Sequence, residues 1–481
     1  MRHNPRIRQL ACFACCLLVR IPFAYAQGYS TTVPPGTALS DPECYTAVTT
    51  TLTAQDLSAA IHINSATDVA SLRATLITQI WGTNTLPVAT VNATTTPGAS
   101  IVATRPPNPA SGDPGNLPAN ASGMYAYLAA SSATQSSFLG TEYRLTWPLL
   151  TSPQINSVIF AWTPKFSNGR LFIVHDGHSP DGYTVTNGAL SVFPKAVADT
   201  SNEVTVSRLL QAGYTVIWIQ MPLYGDNLTT LNASFSKVFP DTPVSGCTTD
   251  SPYIQVILTN SNSNTCSPHD LIFANSRTWG SPFRYFIEPV IVAINTAMTP
   301  GNLLSQNGQF VDITMMGASG GGWTTVLAAA LDRRITNSAS VAGSLPLFYP
   351  SASDPATCQM SRDSEQIAPT GDLYKSVSYL DLYIMAANGT DPNGRYRRHM
   401  QINNQFDACC FYGINFLGYV PTLSNHIQQN SLGNYRYILD TTFVGHAYDL
   451  GSLNGAVVSN NTLSAVQQMP AINAVLSTML H

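Results

Sequence analysis

One segment constrains the fold of this chain more than any other: an apolar run that leads through a glycine-rich turn into a helical pattern. Residues 311–316 predict a buried strand, and residues 323–334 predict a helix rich in Ala, Leu and Thr. Only the six residues 317–322, with the sequence Gly-Ala-Ser-Gly-Gly-Gly, connect the two. Ser319 therefore sits at a sharp strand-to-helix corner, where glycines two residues before and two after it avoid Cβ clashes.

Apolar runs alternate with turn residues and helical patterns beyond residue 140. That order is typical of a mostly parallel sheet covered by helices. Strands are predicted at residues 142–149, 157–163, 171–175, 215–221 and 311–316. Further helices are predicted at about residues 203–212 and 282–297. We therefore predict an α/β fold.

The corner at Ser319 resembles the nucleophile elbow of the α/β-hydrolase superfamily, and the resemblance covers about residues 140–481. In that superfamily the serine is followed along the chain by an acid after a late strand and a histidine after the last strand. The resemblance implies an α/β-hydrolase fold, with a mostly parallel sheet and helices on both faces. It also implies a serine hydrolase that needs no cofactor and no metal ion.

His446 is the histidine that this chain order selects as the base. It lies just beyond residues 435–443, which predict a strand. The other histidines downstream of Ser319 are placed differently. His399 lies within a predicted strand, His426 in a helical or loop stretch, and His481 at the end of the sequence.

Asp407 is the preferred acid, because it follows a predicted strand with a loop and precedes His446 by 39 residues. Asp381 lies within residues 379–387, which look like a buried strand. Asp440 lies within the predicted last strand, and Asp449 follows the histidine. The alternative for Asp407 is the role of a turn residue.

The oxyanion hole is expected to use the backbone N–H of Gly320, the residue after the serine, and a second donor from the loop after the third strand. That loop reads His175-Asp-Gly-His178, which is similar to the His-Gly loop of the superfamily but departs from it. The second donor stays open among Asp176, Gly177 and His178. His175 and His178 also have a metal-pair spacing, but that spacing alone is non-specific.

The N-terminal part is predicted to differ from the rest. Residues 1–26 combine arginines, a short apolar stretch and a small-x-small motif, which predicts a cleaved signal peptide and an extracellular protein. Residues 27–139 are rich in Thr, Ser, Pro and Ala and form an appendage that is partly irregular, with one helical stretch at 54–81. The catalytic domain is predicted at residues 140–481, with a lid-like insertion at 223–270.

Six cysteines remain beyond the predicted signal peptide, and in an oxidising compartment we expect them to be bridged. Adjacent Cys409 and Cys410 are expected to brace the loop of Asp407, and a bridge between Cys247 and Cys266 would stiffen the insertion. The other two are Cys44 and Cys358. Six Asn-x-Ser/Thr sites fit an exported glycoprotein. They lie at Asn92, Asn120, Asn227, Asn232, Asn388 and Asn460.

Charge excludes one class of partner. The net charge is −4, charged residues make up 10% of the chain, and basic residues form no patch for nucleic acid. No stretch is long enough to predict a membrane span.

We predict that the protein hydrolyses carboxylic esters, small or polymeric. The alternatives are a peptidase or amidase on the same fold, and an inactive hydrolase-like domain used for binding or adhesion. The sequence does not indicate an oligomeric state.

Overall fold

A computed structural model gives the structure of the protein. It describes residues 42–46, 53–91, 139–151, 154–178, 183–186, 189–192, 206, 209–222, 227, 269, 272–273, 279–301, 304, 310–348, 364–367, 373–407, 410–444 and 446. The predicted signal peptide and nearly all of the predicted insertion at 223–270 lie outside these residues. In the described part, none of the helices has the length and apolar run that a bilayer crossing requires.

An eight-stranded sheet, in the order β1-β2-β6-β3-β7-β8-β9-β10, forms the centre of the fold. Strand β2 runs antiparallel to β1 and β6, and the other neighbours are parallel. Strands β4 and β5 form a separate antiparallel pair. The strands are β1 (Leu139–Thr151), β2 (Gln154–Pro164), β3 (Arg170–His175), β4 (Tyr183–Thr186), β5 (Ala189–Val192), β6 (Thr215–Ile219), β7 (Asp312–Ala318), β8 (Asn337–Val341), β9 (Arg398–Phe406) and β10 (Asn434–Val444).

The described helices pack around this sheet. They are α1 (Ala54–Ala59), α2 (Ala66–Trp81), α3 (Arg284–Met298), α4 (Gly320–Leu331), α5 (Ser364–Ile367), α6 (Leu373–Ser376), α7 (Tyr379–Ala387) and α8 (Val420–Gln429). Every residue of α4 is buried, since the helix lies on β7 and β8 and packs against α3 and α7. A helix surrounded on all sides needs small and apolar residues throughout, which its Gly-, Ala- and Leu-rich sequence provides.

Several of the predicted strands are confirmed. Residues 142–149, 157–163 and 171–175 lie within β1, β2 and β3, and the strand predicted at 311–316 corresponds to β7. The last predicted strand, 435–443, lies within β10. The parallel strands β3, β7, β9 and β10 therefore deliver the residues that follow them to one edge of the sheet.

The prediction of a buried strand at residues 379–387 is wrong, because these residues form helix α7. The Ser378 hydroxyl accepts a hydrogen bond from the N–H of Asp381, whose carboxylate in turn accepts one from the N–H of Ser378. This capping box starts a helix. All nine helical residues are buried, so the segment shows no polar face from which a helical period could be read.

The described part of the predicted N-terminal appendage packs against the helices around the sheet. Helix α2 contacts α4, α6 and α7. The Arg73 guanidinium donates to the backbone carbonyls of Ala330 and Met385. The Trp81 indole donates to Glu288 on α3. Residues 53–91 thus share the hydrophobic core of the sheet domain.

Candidate active site

Ser319 occupies a strained corner between β7 and α4. Its backbone has φ 55° and ψ −128°, in the region that non-glycine residues rarely adopt. The Ser319 N–H donates to the carbonyl of Val341 on the neighbouring strand, at 2.9 Å. A Cβ on Gly317 would overlap the carbonyl of Gly321, so the tight turn requires a glycine there. This geometry projects the serine hydroxyl beyond the end of the sheet.

A continuous chain of hydrogen bonds connects Ser319, His446 and Asp407. The distance from Ser319 Oγ to His446 Nε2 is 2.8 Å, and His446 Nδ1 lies 2.9 and 2.8 Å from the two carboxylate oxygens of Asp407. A carboxylate only accepts hydrogen bonds, so it fixes the proton on Nδ1 and leaves Nε2 as the acceptor for the serine hydroxyl. The Asp407 side chain is fully buried, and that of His446 is 20% exposed.

The loop after β9 positions the carboxylate. The backbone N–H of Cys410 donates to Asp407 Oδ1 at 3.1 Å, and the ring of Phe411 stacks on that of His446 with centroids 6.2 Å apart. Cys410 and Cys44 are both disulfide-bonded. Cys409, which was also expected to brace this loop, lies outside the described residues, as do Cys247, Cys266 and Cys358.

The other acids and histidines that the sequence offered have different contacts. Asp381 caps α7 and pairs with His62 Nδ1 at 2.7 Å. Asp440 lies on β10 opposite Asn404, within the strand rather than beyond its end. His399 Nδ1 pairs with the Ser338 hydroxyl at 2.8 Å. His426 Nε2 donates to the carbonyl of Ile63. Asp449 and His481 lie outside the described residues.

The loop after β3 lies directly against the elbow. A Cβ on Gly177 would come within 2.8 Å of the Ser319 Cβ. The Asp176 N–H donates to the carbonyl of Ile219 at 2.8 Å, so the expectation that Asp176 could be the second oxyanion donor is not met in this conformation. The Gly177 N–H donates to Asp176 Oδ1 at 3.0 Å. Gly177 could serve only after that bond is released, and the second donor stays open between Gly177 and His178.

His175 and His178 do not form a metal pair. The His175 ring is buried, and its Nδ1 donates to the carbonyl of Asp176 at 2.7 Å. Burial lowers the pKa of this imidazole to about 4, so it is neutral near pH 7. His175 therefore belongs to the packing beneath the loop, whereas the His178 ring lies over Gly320, with Cε1 2.5 Å from where a Cβ on that glycine would be.

The His178 ring meets two residues that the sequence reasoning did not connect with the site, His269 and Glu365. Burial raises the pKa of the Glu365 carboxyl, but the charges of His269 and His178 outweigh this effect and hold that pKa well below its usual range. Glu365 is therefore an ionised, fully buried carboxylate beside the elbow. No local motif marks these residues, because they are 96 positions apart in the chain.

Two of the six predicted glycosylation sites are buried. The Asn227 amide is 1% exposed, accepts from the N–H of Val158 and donates to the carbonyls of Gln220 and Met221. The amide of Asn388 donates to the carbonyl of Leu432. A glycan on either amide would break these bonds, so neither site suits modification in the folded chain. Asn92, Asn120, Asn232 and Asn460 lie outside the described residues.

Gly321→Ala should damage both stability and activity. Its Cβ would overlap the backbone carbonyl oxygens of His175 and Asp176, which cannot move without shifting the loop after β3. We expect a loss of about 1–3 kcal/mol in the free energy of unfolding, together with a lower kcat. Thermal unfolding and ester turnover measure both. The control Gly389→Ala, which has open space around it at φ +78°, should lose stability only. Wild-type stability and turnover in Gly321→Ala would refute the close packing of loop and elbow.

No protein-family model and no curated protein matches the sequence. Solved structures do show similarity. The acylaminoacyl peptidase of Pyrococcus horikoshii is 12% identical, with a TM-score of 0.38 and coverage of 73% of this chain and 42% of the peptidase. An acetyl xylan esterase from Paenibacillus sp. R4 is 15% identical, with a TM-score of 0.35 and coverage of 68% of this chain and 90% of the esterase. A glucuronoyl esterase from Solibacter usitatus is 11% identical, with a TM-score of 0.36 and coverage of 65% of this chain and 78% of the esterase.

This chain spans less than half the length of the acylaminoacyl peptidase. At these identities and scores, the similarities decide neither an activity nor a substrate. The chain's own geometry is more informative. Its sheet is parallel apart from β2, the elbow lies between the central strand β7 and helix α4, and a histidine and an aspartate follow the serine in chain order to the same sheet edge. By these features, the chain has the α/β-hydrolase fold.

Proposed function

We propose that this protein is a serine hydrolase that cleaves carboxylic esters through an acyl-enzyme intermediate, with Ser319 as nucleophile, His446 as general base and Asp407 as its partner. The observation that supports this most is the unbroken hydrogen-bond chain from the Asp407 carboxylate through the imidazole to the Ser319 hydroxyl. A serine hydroxyl is a weak nucleophile near pH 7, and a base within hydrogen-bond distance removes that limitation.

In the proposed reaction, Ser319 Oγ attacks the ester carbonyl carbon while its proton passes to His446 Nε2. Asp407 keeps the other ring proton on Nδ1 and stabilises the imidazolium. When the tetrahedral intermediate collapses, the ester C–O bond breaks and the imidazolium returns its proton to the leaving alcohol. Water then attacks the acyl-serine with His446 again as base, which releases the carboxylic acid and restores the serine hydroxyl.

The start of helix α4 would stabilise the negative oxygen of both tetrahedral intermediates. N–H groups in the first turn of a helix have no carbonyl partner within the helix, and the N–H of Gly320 lies directly after the nucleophile. The positive end of the helix dipole adds to this effect. A second donor would come from the adjoining loop, at His178 or at Gly177, whose N–H must first leave Asp176 Oδ1. Each such donor contributes on the order of 10² to 10³ in kcat.

Esters are preferred over amides because an alkoxide leaves more readily than an amine, so the triad and the oxyanion donors suffice. An amide would in addition require accurate protonation of the leaving nitrogen. Turnover of p-nitrophenyl esters and of p-nitroanilides with the same acyl group compares the two directly. Faster turnover of the anilides would favour a peptidase or amidase and contradict the ester proposal.

Export is part of the proposal. It is supported by the signal-peptide pattern at residues 1–26 and by disulfide-bonded Cys44 and Cys410, which fit an oxidising compartment. N-terminal sequencing of the protein from culture medium tests it, and a chain that starts near residue 27 is the expected result.

Labelling with a fluorophosphonate tests the proposed nucleophile independently of the substrate. The wild-type chain should be modified at Ser319, and Ser319→Ala should not react. Ser340→Ala is a matched control, since Ser340 lies on the adjacent strand β8, where it pairs with Gly317, and it should label like wild type. A folded wild-type chain that does not react, or a label on another residue, would contradict the proposal and favour a binding role.

A further inference from the structure

Three polar side chains meet beside the elbow in a largely buried cluster. His178 Nε2 lies 2.7 Å from Glu365 Oε1, His269 Nδ1 lies 3.0 Å from Glu365 Oε2, and the two ring nitrogens are 3.2 Å apart. The side chains of His269 and Glu365 are fully buried, and that of His178 is 16% exposed. Four donor atoms thus converge on one small volume.

A backbone contact fixes the orientation of the His269 ring within this cluster. His269 Nε2 lies 3.0 Å from the carbonyl oxygen of Pro222, which can only accept, so Nε2 bears the ring proton. The other ring nitrogen, Nδ1, therefore faces Glu365 Oε2 and His178 Nε2, at 3.0 and 3.2 Å.

The hydrogen bonding of the Glu365 carboxylate is a second observation that points to a ligand. Its Oε1 is buried, and among the described residues no N–H or O–H group points at it with hydrogen-bond geometry, although His178 Nε2 is 2.7 Å away. A buried carboxylate oxygen that accepts no hydrogen bond is costly. The short distance without hydrogen-bond geometry is the relation expected of two ligands of one ion, rather than of a donor and an acceptor.

The contact of His269 with the backbone also fits a metal ligand. A histidine that binds a metal through one ring nitrogen usually donates its other N–H to a backbone carbonyl or a carboxylate, which fixes the tautomer. The carbonyl of Pro222 does this here and leaves Nδ1 facing Glu365 and His178.

The donor types and spacing select the ion. Two imidazole nitrogens and a carboxylate suit Zn²⁺, whereas Ca²⁺ and Mg²⁺ prefer oxygen ligands throughout. Around a tetrahedral zinc with bonds of about 2.1 Å, ligand atoms are roughly 3.4 Å apart. The observed separations of 2.7–3.2 Å would reach that value if each side chain moved outward by a few tenths of an ångström.

We propose that His178, His269 and Glu365 bind a Zn²⁺ ion. The three ligands come from separate segments: the loop after β3, the segment that follows residue 222, and helix α5. The ion would therefore cross-link these segments and fix the loop whose backbone lies against Ser319. Three protein ligands leave a fourth position for water. This site does not depend on the ester hydrolysis proposed above.

Metal content of the tag-free full-length chain tests the proposal. After incubation with zinc and dialysis, we expect about one zinc per wild-type chain by elemental mass spectrometry. Glu365→Gln and His269→Gln should each weaken zinc binding by about 100-fold or more, beyond the loss caused by removing an outer partner of a metal ligand. Glu288→Gln is the matched control: Glu288 is also a buried glutamate, but it pairs with Arg284 and two tryptophans, and the variant should retain zinc.

Two further measurements test the proposal even if the ligand variants do not fold. Zinc should raise the Tm of the metal-free wild-type chain and of Glu288→Gln. Cobalt(II) added to the wild-type chain should give the visible absorption of a four-coordinate site, which zinc then abolishes. A folded wild-type chain that binds neither ion, or zinc binding in Glu365→Gln and His269→Gln that equals wild type, would overturn the proposal.

Discussion

Ser319→Ala is expected to lower kcat by a factor on the order of 10⁴ to 10⁶ while the Tm stays close to that of wild type. The serine hydroxyl bonds to His446 Nε2, and alanine removes that oxygen but keeps the Cβ. Because alanine has the same backbone preferences as serine at φ 55°, the elbow gains no new strain. Steady-state turnover of a p-nitrophenyl ester and thermal unfolding measure the two effects.

The double variant with His446→Ala sharpens this prediction. Each single change should be about equally damaging, and both together should be little worse than one, because the hydroxyl and the imidazole act as one unit. The control Ser340→Ala should keep wild-type kcat and Tm. If the two losses multiply in the double variant, the residues do not share a mechanism, and the proposed roles of Ser319 and His446 fail.

The elbow was predictable because all of its determinants are local. The apolar strand, the glycines and the helical pattern follow one another within 24 residues, so the sequence alone specifies the corner at Ser319. Helix α7 shows the opposite case. Its nine residues are buried on every side, so neither a twofold nor a helical period is visible, and only the capping box of Ser378 and Asp381 marks the start of a helix.

The residues around Ser319 also differ in whether the sequence alone could predict their contacts. Chain order and predicted strand ends indicated Asp407 and His446, which the structure brings into contact, although their catalytic roles stay predictions. No sequence pattern predicted the positions of His269 and Glu365, because no predicted strand end or motif brings them to His178. Long-range packing alone determines this contact, and a single sequence does not encode it in any readable pattern.

Asp407→Asn is expected to lower kcat by about 10⁴ with little change in fold. The reason lies in the contacts of the two carboxylate oxygens. Oδ1 accepts from the N–H of Cys410 at 3.1 Å, so in asparagine the remaining oxygen should keep that position and the amide NH₂ should replace Oδ2, 2.8 Å from His446 Nδ1. An NH₂ group there donates, and His446 Nδ1 must then accept.

That reversal moves the ring proton to Nε2, where it faces the Ser319 hydroxyl and can no longer take up its proton. Asp381→Asn is the matched control, since Asp381 is equally buried but caps α7 and pairs with His62; it should lose some stability and keep its kcat. Steady-state kinetics on one ester compares the three chains, and nuclear magnetic resonance of the imidazole reports the tautomer. A kcat of Asp407→Asn within tenfold of wild type, with the Nδ1 proton retained, would show that Asp407 does not control the base.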